Sequence, residues 1–168
     1  MNVSRYVRGG KILCKYSINK IFRGLKVSRP PTFIVGCGHS GTSIVLRVIG
    51  SHPKIYSVKR ESRMALSGKK KFENQKKKFD IKAVSEGYKR WIEKTPRHIR
   101  VIDEILKWSP ESKIILIVRD GRDVACSMRY RYGDIKTGIE RWVRDNRQGE
   151  KYWKENNLLV VKYESFVS

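Results

Sequence analysis

In Gly36-Cys37-Gly38-His39-Ser40-Gly41-Thr42-Ser43 the glycines fall with the G-x-x-x-x-G spacing of a phosphate-binding loop, directly after the apolar run Thr32-Phe33-Ile34-Val35. Glycines at 36, 38 and 41 let successive backbone N–H groups turn inward without Cβ clashes, and a helix starting near Thr42 adds its positive N-terminal end. Thr42 stands where a nucleotide triphosphatase carries the lysine that reaches the γ-phosphate. The loop therefore suits a ligand with a single phosphate at this position and disfavours triphosphate-kinase or ATPase chemistry. By itself the pattern is also that of any glycine-rich turn from a strand into a helix.

A second group, Arg119-Asp120-Gly121-Arg122-Asp123-Val124-Ala125-Cys126-Ser127, follows the continuous apolar run Ile114 to Val118. Arg119 would leave the sheet at the same carboxyl edge as the glycine loop, and Ser127 would lie about two turns along the next helix. An arginine and a hydroxyl converging there could clasp a second phosphate, the arginine by a bidentate contact. Taken alone, the same residues read more simply as an Arg119–Asp123 ion pair and a small packing serine.

Both groups need a scaffold that brings strand ends together, and the apolar pattern supplies one. Thr32 to Gly36, Ile114 to Val118 and Leu158 to Val161 are short continuous apolar runs, the form taken by strands buried on both faces of a parallel sheet. Lys54 to Val58 is a weaker strand candidate. Helical spacing is visible from Thr42 to Gly50, from about Arg97 to Trp108 and from about Thr137 to Glu155. Strands alternating with helices predict a three-layer α/β/α domain with a mostly parallel sheet and ligands beyond the carboxyl ends of its strands. Residues 1–30 read as an appended basic arm with amphipathic helical spacing, and 31–168 as the α/β domain.

Composition narrows the class further. The 168 residues carry 38 Lys and Arg against 16 Asp and Glu, a formal charge of +22, so some affinity for polyanions is expected. A hydrophobic share of 39% with 5 Phe, 8 Tyr and 4 Trp is enough for a packed core and argues against a disordered basic tail. Lys69 to Lys71 and Lys76 to Lys78 form two basic clusters, read as a solvated loop or a surface helix. Trp91, Trp108, Trp142 and Trp153 fit core or groove positions. Cys14, Cys37 and Cys126, widely spaced and odd in number, suggest neither a disulfide framework nor a zinc site. No run approaches a membrane span, so the expected location is the cytoplasm, or a membrane surface reached through the basic arm.

Taken together, the two phosphate motifs resemble the P-loop-like sulfotransferase family, whose donor is 3′-phosphoadenosine 5′-phosphosulfate (PAPS). Phe33 to Gly36 leading through Ser40-Gly41-Thr42-Ser43 is similar to the family's 5′-phosphosulfate loop, and Ile117-Val118-Arg119-Asp120 through Ser127 to its 3′-phosphate element. Glu93-Lys94-Thr95-Pro96 and Val161-Lys162-Tyr163-Glu164 resemble two further family segments. The likeness runs from about Pro31 to Ser168. It departs from the family at His39, where many members carry Lys or Arg before Ser-Gly-Thr. Members also commonly continue beyond Tyr-Glu with a segment that completes the 3′-phosphate and adenine site, so an incomplete domain with weak donor binding is expected here.

What the resemblance implies is transfer of a sulfuryl group from PAPS to a hydroxyl or amine acceptor, leaving adenosine 3′,5′-bisphosphate, with no metal required. Gly38, His39, Ser40, Gly41, Thr42 and Ser43 would hold the 5′-phosphate, Arg119 and Ser127 the 3′-phosphate, and Tyr163 would lie near the adenine. Glu61 matches the position of a catalytic glutamate in several groups, although among Lys59, Arg60 and Arg63 it is equally a surface ion pair. His98 is the alternative base, and Glu61 is favoured because a strand-end carboxylate faces the donor more naturally. Lys94 would stabilise charge at the sulfate. The acceptor is open, with an acidic glycan or lipid suited to the basic surface. Two other readings stay in view: a nucleic-acid or polyanion-binding protein on a P-loop-like scaffold, and a small-molecule kinase lacking its lysine.

Overall fold

The computed structural model describes residues 26–168. The helical arm expected over residues 1–30, and Cys14 with it, lies largely outside these residues. A five-stranded sheet forms the centre: β1 (Thr32–Gly36), β2 (Ile55–Ser57), β3 (Arg90–Lys94), β4 (Lys113–Val118) and β5 (Leu158–Lys162). Their order is β2-β3-β1-β4-β5, and every pairing is parallel.

The helices are α1 (Thr42–Gly50), α2 (Lys69–Ser85), α3 (Ile102–Trp108), α4 (Gly121–Tyr132), α5 (Ile135–Glu150) and α6 (Tyr163–Val167), with 3₁₀ turns at Ala65–Ser67 and Pro96–Val101. Alternating side chains of each strand face opposite layers. Ile34, Ile92 and Ile117 pack with Val45 of α1 on one side, joined by Tyr163 and Phe166 of α6. Phe33, Val35, Trp91, Ile114 and Leu116 pack on the other with Phe72 of α2, Ile99 and Ile105. Phe33 sits 5.9 Å from the Phe72 ring and 5.4 Å, edge-on, from Trp91. Truncating such a fully buried aromatic costs about 3–5 kcal/mol, so this contact fixes α2 to the sheet.

Three strands coincide with the continuous apolar runs. β3 does not, and its position beside β1 makes it central. Its sequence, Arg-Trp-Ile-Glu-Lys, reads as charged, yet Trp91, Ile92 and Glu93 are all buried. The helix expected from Arg97 begins as the 3₁₀ turn Pro96–Val101 before α3, because Pro96 has no N–H to donate and fits only a first turn. The lysine clusters lie on α2, a helix rather than a loop. Lys76 is not a solvated decoration there: it is largely covered, 3.4 Å from Asp80 and 3.3 Å from Glu111. Asp80 in turn accepts the Trp91 indole N–H at 2.7 Å. Trp153 is 49% exposed and lies outside the core, unlike Trp91.

The strand order creates the site. From β1 the chain runs through α1 to the β2 side of the sheet, whereas from β4 it runs through α4 and α5 to β5. Connections leaving adjacent strands in opposite directions open a crevice at their carboxyl ends. The glycine loop and Arg119 flank it.

Candidate functional site

The loop between β1 and α1 is shaped by two left-handed residues, Gly41 at φ 84° and His39 at φ 70°. Gly41 is required twice over: it holds a conformation that L side chains rarely adopt, and a Cβ there would overlap the Tyr163 ring. No side chain caps α1, which leaves its positive end and first N–H groups for an external anion. Cys37 is buried against Val124 and Met128, and burial, with Asp145 adding to it, pushes its thiol up to about 12. It is a packing residue.

The two phosphate motifs meet at His39. Its Nδ1 lies 2.9 Å from Ser127 Oγ, and its carbonyl accepts from Arg119 Nη1 at 3.2 Å. The Arg119 guanidinium also lies 3.3 Å from Asp123 and stacks 4.5 Å from the Tyr163 ring centroid. The local ion pair and the convergence of the motifs therefore coexist. Trp142 donates its indole N–H to the Arg119 carbonyl at 2.9 Å, and the Asp120 N–H donates to Glu164 at 2.9 Å, which ties the β4 loop to α6. Burial, then the charges of Arg131, Arg141 and Arg119, hold His39 below its usual 6.5. A histidine in this field is neutral near pH 7.

Beside the loop is a cavity of about 400 Å³, lined by Gly38, His39, Thr42 and Ser43 on one side and by Glu61 and Lys94 on another. Lys94 Nζ is 2.8 Å from Glu61 Oε1. Lys94 ends β3, while Glu61 lies on the loop after β2. That loop is anchored by Glu93, whose Oε1 accepts from the Ser62 N–H and hydroxyl, both at 2.9 Å, and from the Thr95 hydroxyl at 2.5 Å. The Arg63 N–H reaches Thr95 Oγ1 at 3.3 Å. Burial pushes the Glu93 carboxyl up, but His98, Thr95 and Ser62 together outweigh it and leave the group below its ordinary 4.5.

Several expected residues lie elsewhere. His98 is wholly buried; its Nε2 accepts the Ala65 N–H at 3.3 Å and its Nδ1 faces Glu93 Oε2 at 3.3 Å. Its ring is enclosed in the core, and His98 does not line the cavity. Ser40 is buried with its hydroxyl unpartnered, and Gly41 lies beneath Tyr163. Arg119, Ser127 and Tyr163 do not line the cavity and gather with His39 at its edge. The cavity wall includes four arginines that sequence reasoning passed over: Arg63, Arg97, Arg131 and Arg141. Nothing in their spacing marks them, because they come from four separate elements. Arg141 lies over the loop, 2.7 Å from where a Cβ at Gly38 would stand, and 3.6 Å from buried Asp145, which Arg100 and Arg144 also approach. The buried Nε of Arg119 has no hydrogen-bond partner, and that of Arg141 has only the 3.6 Å ion-pair contact with Asp145. Unfilled donors around a glycine loop fit an anionic ligand. Among the described residues no cluster of His, Cys, Asp or Glu could hold a metal ion, and no helix is long and apolar enough to cross a membrane.

Residues 70–168, more than half of the chain, match the model of the family described as Sulfotransferase family. None of the curated proteins matches the chain by sequence. Among solved structures, the chain is similar to a sulfotransferase from Alicyclobacillus acidocaldarius, with 16% identity, a TM-score of 0.60, and 84% of this chain and 76% of that one covered. It is similar also to sulfotransferase STF1 from Mycobacterium tuberculosis H37Rv, at 11% identity and a TM-score of 0.60, covering 90% of this chain and 67% of that one. A sulfotransferase domain from the curacin biosynthetic pathway superposes with a TM-score of 0.61 at 14% identity, covering 83% of this chain and 70% of that one. At these identities the likeness is one of fold.

Proposed function

The chain belongs to the sulfotransferase family, and from that premise we propose that it transfers a sulfuryl group from PAPS to a hydroxyl or amine acceptor, with residues 31–168 as the transferase domain and 1–30 as an appended basic arm. One observation carries this reading: the Glu61–Lys94 pair faces the phosphate loop across a single cavity. In the proposed reaction the loop N–H groups, the α1 terminus, Thr42 and Ser43 hold the 5′-phosphosulfate. Arg119 and Ser127 hold the 3′-phosphate, and Tyr163 lies beside the adenine.

The acceptor oxygen or nitrogen forms the new bond to sulfur as the bond from sulfur to the 5′-phosphate oxygen breaks. Its proton passes to Glu61, and adenosine 3′,5′-bisphosphate leaves. Lys94, within reach of Glu61, supplies the cation for the charge that develops on the departing oxygen, a use of a preset charge that costs no reorganisation at the moment of transfer. His39 joins the two phosphate sites through Ser127 and Arg119. Glu61 is preferred to His98 as the base, a choice supported by the burial of His98 beside Ala65 and Glu93.

Calorimetry with adenosine 3′,5′-bisphosphate tests the reading without a known acceptor. Saturable binding that is tighter than that of adenosine 5′-monophosphate is expected. Indifference to the 3′-phosphate would refute the donor assignment.

A further inference from the structure

On the premise of the sulfuryl-transfer reading above, we propose that the acceptor carries an oxyanion of its own, a carboxylate, phosphate or sulfate group, and that Arg63, Arg97 and Arg131 bind it on the exposed side of the cavity. The three arrive from the loop after β2, the 3₁₀ turn after β3 and the end of α4, and all line the one cavity. Each is exposed, and among the described residues none meets a carboxylate. Some exposed basic side chains are paired, as in Lys69–Glu73, Lys82–Glu86 and Arg122–Asp120, and many are not; what sets these three apart is that they converge on one cavity. The one carboxylate of the cavity wall, Glu61, is already matched by Lys94. A donor phosphosulfate held by the loop and the α1 terminus would leave these three guanidinium groups unmatched.

Residue type adds to the argument. The clusters on α2 are lysines, point charges suited to any polyanion, whereas the cavity side is arginine, whose planar fork recognises a carboxylate or phosphate bidentately. Arg63 is also held at φ 51°, a left-handed conformation that a long side chain adopts at a cost of roughly 1–2 kcal/mol. The Glu93–Thr95–Ser62 bonds impose it. Backbone strain maintained by a buried network, and ending in an unpaired guanidinium on the cavity wall, is strain spent on presenting that group. Burial depresses His39 first, and Arg131 is the foremost of the charges that add to it.

The test separates acceptor from donor. Bisphosphate binding is measured first, and its absence in the wild-type protein sinks the sulfuryl-transfer reading and this inference with it. On the bisphosphate-saturated protein, inorganic phosphate is then titrated while the side-chain Nε–H signals of Arg63, Arg97 and Arg131 are followed by NMR, with chloride as the ionic-strength control. Phosphate should move the three signals together with one midpoint. Glucose 6-phosphate should bind about tenfold tighter than glucose, and R63Q/R97Q/R131Q should reduce that preference to about twofold while bisphosphate affinity persists; R97Q, at an exposed unpaired side chain, serves if the triple variant misfolds. Signals that ignore phosphate or respond equally to chloride overturn the proposal, as does equal binding of the two sugars. Loss of bisphosphate affinity in the triple variant also overturns it, by making these arginines donor ligands.

Discussion

Replacing Glu93 with Gln should destabilise the protein by about 2–4 kcal/mol, although the change is isosteric and lies outside the cavity. Oε1 accepts three hydrogen bonds and Oε2 faces His98 Nδ1 at 3.3 Å. A glutamine oxygen placed at Oε1 keeps the three donors but turns its NH₂ toward His98. Because His98 Nε2 accepts from Ala65, the ring proton is on Nδ1, and two donors then confront one another in a site without water access. Switching the tautomer only moves the conflict to the Ala65 N–H. Either way one buried donor is orphaned, at about 1–3 kcal/mol, and three charge-assisted bonds become neutral ones, partly offset by no longer burying a charge. Denaturant unfolding at pH 7 measures the loss. The pH dependence supplies an independent check: the folded-state pKa lies below the ordinary 4.5, so the Glu93 contribution is complete above 4.5 and disappears as pH falls through the folded value. The variant should lose that part of the acid limb. A loss under about 1 kcal/mol, with the wild-type acid profile retained, would refute the idea that Glu93 anchors the loop carrying Glu61 and Arg63.

Arg119→Ala should weaken adenosine 3′,5′-bisphosphate by about 2–4 kcal/mol and leave a 5′-monophosphate nucleotide nearly unchanged; calorimetry showing equal losses would make Arg119 structural. Gly41→Ala forces a Cβ onto the Tyr163 ring in a left-handed conformation, so it should abolish detectable bisphosphate binding and lower the melting temperature; unchanged binding would detach Tyr163 from the site. An anionic ligand beside His39 should raise its depressed pKa, so binding takes up protons and strengthens as pH falls through the raised bound-state value toward the lower free-state one. Calorimetry in buffers of different ionisation enthalpy reads this uptake, with His39→Asn subtracting protonation of the ligand, and identical proton counts for both proteins would disprove it.

Sequence alone determined much of the frame: β1 and β4 are continuous apolar runs because a strand covered on both faces has no polar side to show, whereas β5, equally apolar, lies at the sheet edge with Leu159 exposed and is not covered as its sequence suggests. It also located the glycine loop and the Arg119 to Ser127 interval, since both are short-range patterns set by local backbone geometry. What it did not reveal depends on partners distant in the chain. β3 was hidden because its charges are explained only by neighbours: Glu93 is tolerable inside the sheet once Ser62, Thr95 and His98 surround it. Whether His98 or Glu61 could face a substrate was likewise undetermined by spacing, since both follow strands. The tertiary structure placed them differently, with His98 buried against Phe33 and the Glu93 carboxylate and Glu61 on the cavity wall beside Lys94. The arginines of the cavity belong to elements brought together only when the connections from β1 and β4 part in opposite directions. Their meeting is a property of topology, because charge on a side chain is local but the field in a cavity is the sum over every element that folds around it.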